Sequence, residues 1–333
     1  MAPAAAKVQP SRPEPRPMSL RPRHGYFRGL LARCAGCARV TAAVVHPCDE
    51  ASILAAVEAS GAGLIEPILV GPQAKIRAAA AAAKVDIAPF RVVDAPHSHA
   101  AAEQAVALVR AGEAGMLIKG ALHTDELMHA VVAADTGLRT ERRISHVFLI
   151  DLPSYPRVLL ITDAAINVLP SLEDKRDIVQ NAIDLAHELG IERPRVAILS
   201  AVETVTPKLP STIEAAALCK MADRGQITGG LVDGPLAMDN AVDPEAAREK
   251  GIVSEVAGRA DILVAPDLEA GNMLVKQLTF MGGADAAGVV LGARVPIVLT
   301  SRADSDQARI ASCVVAVLMS GKVLIAPKPT VRS

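Results

Sequence analysis

The sequence has almost no aromatic residues: Trp is absent, and aromatic residues make up 2% of the 333 positions. Proteins that bind single-stranded nucleic acid commonly stack bases on aromatic side chains, so this scarcity argues against that class of function. Charge of either sign is not in excess, because 35 Lys and Arg oppose 36 Asp and Glu, giving a formal net charge of −1. No overall field draws the chain to nucleic acid or to an anionic membrane. An anionic ligand must therefore be bound by local groups.

Long apolar runs are also missing. Although 51% of the residues are hydrophobic, no run approaches the ~20 residues that a membrane-spanning helix requires. The sequence has five cysteines and no secretory signal. We therefore expect reduced thiols and a cytoplasmic protein.

Two short clusters could be considered as metal ligands. Cys34-x-x-Cys37 lies close to Cys48, but no second cysteine pair follows at zinc-finger spacing. His97-x-His99 has no carboxylate partner in register. We therefore predict no metal site and no cofactor apart from the substrates.

Three common catalytic and nucleotide-binding motifs are absent as well. The sequence contains neither G-x-x-x-x-G-K-[ST] nor G-x-G-x-x-G between a strand and a helix, so nucleoside triphosphates and dinucleotides lose their usual support as ligands. It also lacks the G-x-S-x-G elbow of hydrolases, which argues against a serine nucleophile of that type.

What the sequence does contain is an alternation of two kinds of segment. Residues 1–23 are rich in Pro and Arg, and we predict a disordered tail there, with a transit peptide as the alternative. From about His24 onward, short β-branched runs alternate with stretches at helical spacing, such as Leu172 to Leu189 and Ser211 to Arg224. This pattern predicts an α/β fold with mainly parallel sheets flanked by helices. The length of 333 residues suggests two domains.

Polar residues follow most of the predicted strands. In parallel α/β folds, ligands bind beyond the carboxyl ends of the strands. Polar turns also end strands for structural reasons alone, so one such loop carries little weight, but several together indicate a ligand site. The loops are 119–124, 162–167, 200–204, 233–236, 266–272 and 300–302.

Six segments of the sequence resemble one known family, the phosphate acetyl/butyryl transferases. They are LIKGALHTDEL, ITDAAIN, EDKRDIVQNAIDLAHELGIERPRVAILSAVE, DGPLAMDNAV, PDLEAGNMLVKQLTF and PIVLTSRADS, in the family's order over roughly Ala32 to Met319. The resemblance implies a phosphate acyltransferase that exchanges the acyl group of acetyl-CoA or butyryl-CoA with inorganic phosphate, giving acyl phosphate and CoA.

The same resemblance implies an architecture. We expect two α/β domains like those of isocitrate and isopropylmalate dehydrogenases, with an active cleft between them. Residues 24–150 plus 296–328 would form the first domain, and residues 151–295 the second. A homodimer is also implied, with acyl-CoA, CoA and phosphate as partners.

The segment that starts at Ser301 is the main catalytic candidate. A free thiol has a pKa of ~8.5 and is only a few per cent thiolate at neutral pH, so the site must favour the thiolate or accept its proton. By resemblance, Ser301 hydrogen-bonds the thiol of CoA, ahead of a helix expected to begin near Asp304. Arg302 can bind phosphate through two hydrogen bonds and stabilise charge on the carbonyl oxygen.

Asp304 is the favoured proton acceptor and Asp306 the second candidate. Both residues could instead have a structural role: Asp304 with Gln307 could form a capping box, and Asp306 could be a first-turn acid.

A second set of candidates would bind substrate. Gly271 permits close approach of the backbone, and the amide of Asn272 can orient a phosphoryl or carbonyl oxygen. Lys276 is either a ligand or an ordinary exposed lysine. His123 and Thr124 match the family's His-Thr segment, and Thr124 either contacts substrate or caps a helix.

The sequence departs from the acetyl-transferring branch at two positions. An arginine that helps to bind phosphate there is matched here by His129, and a carboxylate base seven residues after the serine is matched by Ala308. Ser-Arg-x-Asp-Ser instead resembles the butyryl-transferring branch, so the acyl length stays open. Three arginines could help Arg302 to bind phosphate, although they could equally form a solvated turn: Arg139, Arg142 and Arg143.

Two other functions remain possible at this point. The departures above would suit a non-catalytic sensor of acyl-CoA or acyl phosphate. The expected fold also occurs in metal- and NAD-dependent decarboxylating dehydrogenases, but the cluster of aspartates and the run of arginines that those enzymes need cannot be assembled from this sequence.

Overall fold

The computed structural model of the chain describes residues 25–34, 36–299 and 305–320. The helices are α1 (Gly25–Cys34), α2 (Glu50–Gly61), α3 (Gln73–Ala83), α4 (Ser98–Arg110), α5 (Thr124–Val132), α6 (Leu172–Glu188), α7 (Pro210–Asp223), α8 (Met238–Val242), α9 (Pro244–Glu249), α10 (Leu268–Phe280) and α11 (Asp306–Ser320). The strands are β1 (Val40–Val45), β2 (Ile65–Gly71), β3 (Arg91–Asp94), β4 (Met116–Lys119), β5 (Ser145–Asp151), β6 (Leu159–Thr162), β7 (Arg195–Leu199), β8 (Leu231–Leu236), β9 (Ile262–Val264), β10 (Asp285–Leu291) and β11 (Ile297–Val298).

These strands form one sheet of eleven, in the order β3-β2-β1-β4-β11-β10-β5-β6-β9-β7-β8. Pairing is parallel from β3 to β11 on one flank and from β6 to β8 on the other. The predicted α/β fold with a mostly parallel, helix-flanked sheet is confirmed. The sheet is continuous where the sequence suggested separate sheets, and the division into two domains stays a prediction.

The two flanks of the sheet run in opposite directions. Three successive pairings, β11 with β10, β10 with β5 and β5 with β6, are antiparallel. An odd number of reversals leaves β6, β7, β8 and β9 antiparallel to β1, β2, β3, β4 and β11. The polar loops after β4 and β11 therefore lie at one end of the strands, and those after β6 to β9 lie at the opposite end. The loops identified in the sequence do not all face one site.

Burial explains why these segments became strands and helices. Every residue of β6 and of β9 is buried, as expected for central strands covered on both faces. Helix α6 starts at a capping box formed by Ser171 and Asp174, and it buries an apolar stripe that includes Ile178, Val179 and Ile183. The helices predicted from Leu172 and Ser211 are observed as α6 and α7.

Strand β11 is very short, with only two residues, Ile297 and Val298. Within the described part of the chain, β11 pairs with β10 only at Val290 and Ile297, whereas β10 pairs with β5 along all of Asp285–Leu291. Among the described residues, no strand pairs with the first half of β10 on the side away from β5. None of the helices described here has both the length and the apolar character to cross a bilayer.

Candidate active site

A cavity of about 370 Å³ lies beside the first half of β10. One wall is helix α10, and another is the start of helix α11 together with Leu299, the last described residue after β11. Phe27 of α1 and Phe148 of β5 add aromatic surface. The cavity thus joins three parts of the chain that are distant in sequence.

The principal catalytic candidates lie next to this cavity in the chain. Leu299 and Ser305 both line it. The segment between them carries Ser301, Arg302 and Asp304, which lie outside the described residues. Their predicted roles therefore stay predictions, although the residues that flank them are at the cavity wall.

The first turn of α11 shows which residue caps this helix. The Ser305 hydroxyl accepts a hydrogen bond from the Ala308 N–H at 3.2 Å, which is the geometry of an N-cap. The helix begins at Asp306, two residues later than the sequence suggested for Asp304. Asp306 accepts a hydrogen bond from the Arg309 guanidinium at 2.6 Å. Ser305 therefore fills the capping role that was the alternative for Asp304.

Position 308 faces the site. Ala308 lines the cavity, and it is the residue seven places after Ser301 at which the acetyl-transferring branch is expected to carry its carboxylate base. Because Ala308 has only a methyl group, position 308 does not carry that carboxylate.

Helix α10 brings two predicted substrate-binding residues to the same cavity. Asn272 and Lys276 both line it. The Asn272 side chain donates a hydrogen bond to the carbonyl oxygen of Ala164 at 3.1 Å, which fixes its orientation. The Lys276 ammonium lies 6.0 Å from the centre of the Phe280 ring, and no carboxylate in the described part of the chain pairs with it.

Gly271 has a packing role in this region. It is buried, and a Cβ there would lie 2.7 Å from the carbonyl oxygen of Asp163 and 3.0 Å from the Cβ atoms of Ala164 and Ala265. The close approach predicted for Gly271 is thus an approach of α10 to the loop after β6. That contact also places Ala164 where Asn272 can reach it.

The loop after β6 depends on a buried carboxylate that the sequence did not single out. Asp163 accepts hydrogen bonds from the N–H groups of Ala165 and Ile166 at 2.9 and 3.0 Å and from the Asn167 amide at 2.6 Å. Burial raises the pKa of Asp163, and these hydrogen bonds oppose the rise. The ITDAAIN segment was the only signal for this residue.

The His-Thr segment follows β4. His123 is the N-cap residue of α5 but makes no side-chain capping bond, and Thr124 is the first residue of the helix. The alternative in which Thr124 caps a helix is therefore wrong. Neither residue is among those that line the cavity. Both lie at the same end of the strands as the loop after β11, because β4 and β11 are parallel.

The arginines before β5 lie at the opposite end of the strands from His123 and Thr124. Arg142 forms an ion pair with Asp184. Arg143 donates to the Asn167 side-chain oxygen at 2.6 Å. Arg139 forms an isolated β-bridge with Ala293. None of the three lines the cavity, so the structure does not bring them to Asn272 and Lys276.

The cysteines and histidines noted in the sequence have other environments. The imidazole of His97 caps α4 by accepting from the Ala100 N–H at 3.2 Å. Within residues 25–34, 36–299 and 305–320, no group of three or more His, Cys, Asp or Glu side chains is arranged to hold a metal. Burial raises the pKa of four thiols, so they stay protonated at neutral pH: Cys34 to about 12, Cys48 to about 11, Cys219 to about 12 and Cys313 to about 12.

Comparison with known proteins identifies the family. A family profile described as "Phosphate acetyl/butaryl transferase" matches residues 97–317. A phosphate acetyltransferase of Rhizobium meliloti is 65% identical over 293 residues, which are 88% of this chain and 93% of that protein. A phosphate butyryltransferase of Clostridium acetobutylicum is 43% identical over 273 residues, 82% and 91% of the two chains.

A solved structure agrees with these relatives. The branched-chain phosphotransacylase of Enterococcus faecalis V583 superposes with a TM-score of 0.74 at 30% identity, covering 84% of this chain and 99% of its own. Sequence and structure thus lead to the same group of proteins, and the chain belongs to the phosphate acetyl/butyryl transferase family.

Proposed function

We propose that this protein is a phosphate acyltransferase that exchanges an acyl group between acyl-CoA and inorganic phosphate. One observation carries the proposal beyond family membership. Two family segments, PDLEAGNMLVKQLTF and PIVLTSRADS, meet at one cavity, to which the first contributes Asn272 and Lys276 and the second Leu299 and Ser305.

The reaction has a simple balance. A phosphate oxygen attacks the carbonyl carbon of the thioester, negative charge develops on the carbonyl oxygen, and the C–S bond breaks. CoA leaves as a thiolate and takes up the proton that the attacking hydrogen phosphate gives up, and acyl phosphate remains. In the reverse direction the thiol must lose that proton before it attacks.

In this proposal, Ser301 hydrogen-bonds the thiol or thiolate sulfur. Arg302 binds phosphate and stabilises the charge on the carbonyl oxygen, as a preorganised donor does in acyl transfer. Asp304 accepts the thiol proton. Asp306 is the weaker candidate, because its carboxylate already accepts a hydrogen bond from Arg309 and Asp306 is not among the residues that line the cavity.

Substrate binding is assigned to the second set of residues. The amide of Asn272 orients a phosphoryl or carbonyl oxygen, and Lys276 attracts the anionic part of the substrate at the cavity mouth. Gly271 acts by holding Asn272 in place. His123, Thr124 and Arg139 complete the predicted set, with contacts that would require a substrate extending beyond the cavity.

The architecture is part of the proposal. We infer two domains, formed by residues 24–150 plus 296–328 and by residues 151–295, with the site in a cleft between them as in isocitrate and isopropylmalate dehydrogenases. The opposite directions of the two sheet flanks support a division near the centre of the sheet.

We also propose a homodimer. Exposed apolar side chains surround α10, whose Leu268 N–H donates to the Val168 carbonyl oxygen at 3.1 Å. These side chains are Val168, Leu169, Met273, Phe280 and Met281. Exposed apolar side chains grouped along one helix are typical of an interface. Light scattering should give the dimer mass, and Leu169→Glu should shift it towards the monomer.

The direct test is the release of free thiol. Purified protein is incubated with acetyl-CoA or butyryl-CoA, with and without phosphate, and the thiol is titrated. We expect thiol release that requires phosphate. Acetyl-CoA is expected to be the better donor, because the relative at 65% identity is a phosphate acetyltransferase. No phosphate-dependent thiol from either donor would refute the enzyme.

One observation favours the second function, a sensor. Position 308 faces the cavity and carries no carboxylate. A sensor would bind CoA in calorimetry yet release no thiol with phosphate, so the same preparation distinguishes the two functions.

A further inference from the structure

Two cysteines at the end of helix α1 take no part in the proposed reaction. Cys34 is the last residue of the helix, and the N–H of Cys37 donates a hydrogen bond to its carbonyl oxygen at 2.9 Å. A bond of this kind, between residues three places apart, closes a turn whose end Cα atoms lie within about 7 Å of each other. Disulfides join cysteines whose Cα atoms are roughly 4.4–6.8 Å apart. The turn therefore holds the two cysteines at a separation that a disulfide can span.

The two thiols differ in their surroundings. Cys37 is exposed, whereas Cys34 is buried, with 4% of its surface accessible. The Cys34 thiol donates to the carbonyl oxygen of Val314 in α11 at 3.8 Å. The Cys37 thiol donates to the carbonyl oxygen of Arg33 at 3.9 Å, so its sulfur lies against the last turn of α1. A dissolved reagent can therefore reach Cys37 but not Cys34.

Burial also sets the order in which the two thiols react. It raises the pKa of Cys34 to about 12, the neighbouring Cys37 thiol adds to the rise, and Arg33 opposes it. Because the thiolate is the nucleophile, Cys34 attacks a dissolved disulfide slowly. It can still react with a sulfur held beside it, because a group next to its target acts at a high effective concentration. The exposed thiol is thus suited to the first step and the buried thiol to the second.

We propose that Cys34 and Cys37 form a thiol–disulfide exchange site for a small-molecule disulfide. The Cys37 thiolate attacks one sulfur of that disulfide, the S–S bond breaks, and the released thiolate takes up the proton that Cys37 lost. The Cys34 sulfur then attacks the Cys37 sulfur of the mixed disulfide, and the second half of the small molecule leaves as a thiol in the same way. The pair gives up two electrons and two protons, and the small molecule gains them. This inference does not depend on the proposed function.

Trypsin provides a direct assay of this chemistry. Cleavage after Arg33 and Arg39 releases a peptide of residues 34–39, which contains these two cysteines and no other. The folded full-length protein is incubated with oxidised glutathione, free thiols are alkylated, and the digest is analysed by mass spectrometry. We expect the peptide to carry an internal disulfide, and to return to the dithiol after treatment with dithiothreitol. An unmodified peptide, or a mixed disulfide that does not close, would overturn the proposal.

Single substitutions test the order of the two steps. Cys34→Ser should leave glutathione attached to Cys37, because the second thiol is missing. Cys37→Ser should slow the modification of Cys34 by roughly tenfold or more, because a buried thiol is poorly reactive. Cys219→Ser is the matched control and should behave as the wild type. Modification of Cys34 at the same rate in Cys37→Ser and in the wild type would contradict the assignment.

A competing pair can be recognised in the same digest. Cys313 directly precedes Val314, whose carbonyl oxygen contacts the Cys34 thiol. A disulfide between Cys34 and Cys313 would link two tryptic peptides, whereas the proposed disulfide closes a single one. The linked peptides would overturn the proposal, and a closed peptide that also forms in Cys313→Ser would support it.

Discussion

Helix α11 begins at the cavity wall, whereas α10 begins at Leu268 and first lines the cavity at Asn272, and the first turns of the two helices differ. Helix α10 is capped by a carboxylate, because Asp267 accepts from the Ala270 N–H at 2.8 Å. Helix α11 is capped by the neutral hydroxyl of Ser305, and its acidic first residue, Asp306, is paired with Arg309. A carboxylate at the cap offsets the positive end of the helix dipole. Of the two caps, only that of α10 therefore places a full negative charge at the positive end of the helix dipole.

The two regions also differ in how they are held. Gly271 fixes α10 against the loop after β6 through contacts too close for any larger residue, and Asn272 is bonded to that loop. The residues before α11 include a serine, an arginine and an aspartate. We interpret α10 as the positioning side of the site and α11 as the reactive side. Substitutions can test this division.

The largest effect is expected at the proton acceptor on the α11 side. Asp304→Asn should lower kcat by roughly 10²–10⁴-fold, the range for loss of a general base. Since Ser305 provides the cap, helix stability should change by less than about 0.5 kcal/mol. Asp306→Asn is the matched control and should keep most of its rate. The measurement is kcat against pH: if Asp306→Asn loses rate and acidic limb while Asp304→Asn keeps both, the two roles are reversed.

Arg302 should give the next largest effect. Arg302→Ala removes a preorganised donor and should lower kcat by roughly 10²–10³-fold, with little change in the free energy of unfolding. Arg302→Lys restores the charge but not the two parallel hydrogen bonds, so it should recover only part of the rate. Steady-state kinetics with both variants checks this, and a near-wild-type rate in the alanine variant would contradict the assignment.

Some features of the fold could be predicted from the sequence and others could not. The run Ile262-Leu263-Val264 predicted a buried strand, and β9 has these bounds, because a strand covered on both faces is apolar at every position. The reversal of direction between the two flanks was not predictable, since a buried apolar strand has the same composition in either direction. Pairing partners decide it.

The candidate site was also only partly predictable from the sequence. Asn272 and Lys276 were predicted from a motif, and both line the cavity. The cap was assigned to Asp304 as an alternative because Asp, Ser and Thr all cap helices, and only the backbone geometry places it at Ser305.

A substitution at Gly271 tests the positioning side of the site through the free energy of unfolding. Gly271→Ala adds a Cβ within 3.0 Å of the loop after β6, and such overpacking should cost roughly 1–3 kcal/mol of unfolding free energy. Gly61→Ala is the matched control: it is a helical glycine with open space around its Cβ, and it should be neutral or stabilising by up to ~1 kcal/mol. Urea denaturation measures both. Equal stabilities would show that the loop moves aside easily.

The smallest effect comes from exchanging the two caps, and it addresses the comparison most directly. Ser305→Asp places a carboxylate at the start of α11, while Asp267→Ser removes one from the start of α10. Asp and Ser cap helices about equally well, so each protein should unfold within about 0.5 kcal/mol of the wild type. Two unit charges a few ångströms apart near a protein surface interact by several kcal/mol before screening, and we expect Ser305→Asp to raise the KM for phosphate by roughly tenfold. Asp267→Ser should leave that KM unchanged or slightly lower. The rise should shrink in high salt, because added ions screen exposed charges. If both variants change the KM for phosphate equally, or if only Asp267→Ser does so, the anion is bound at α10 and the two sides of the site have the opposite roles.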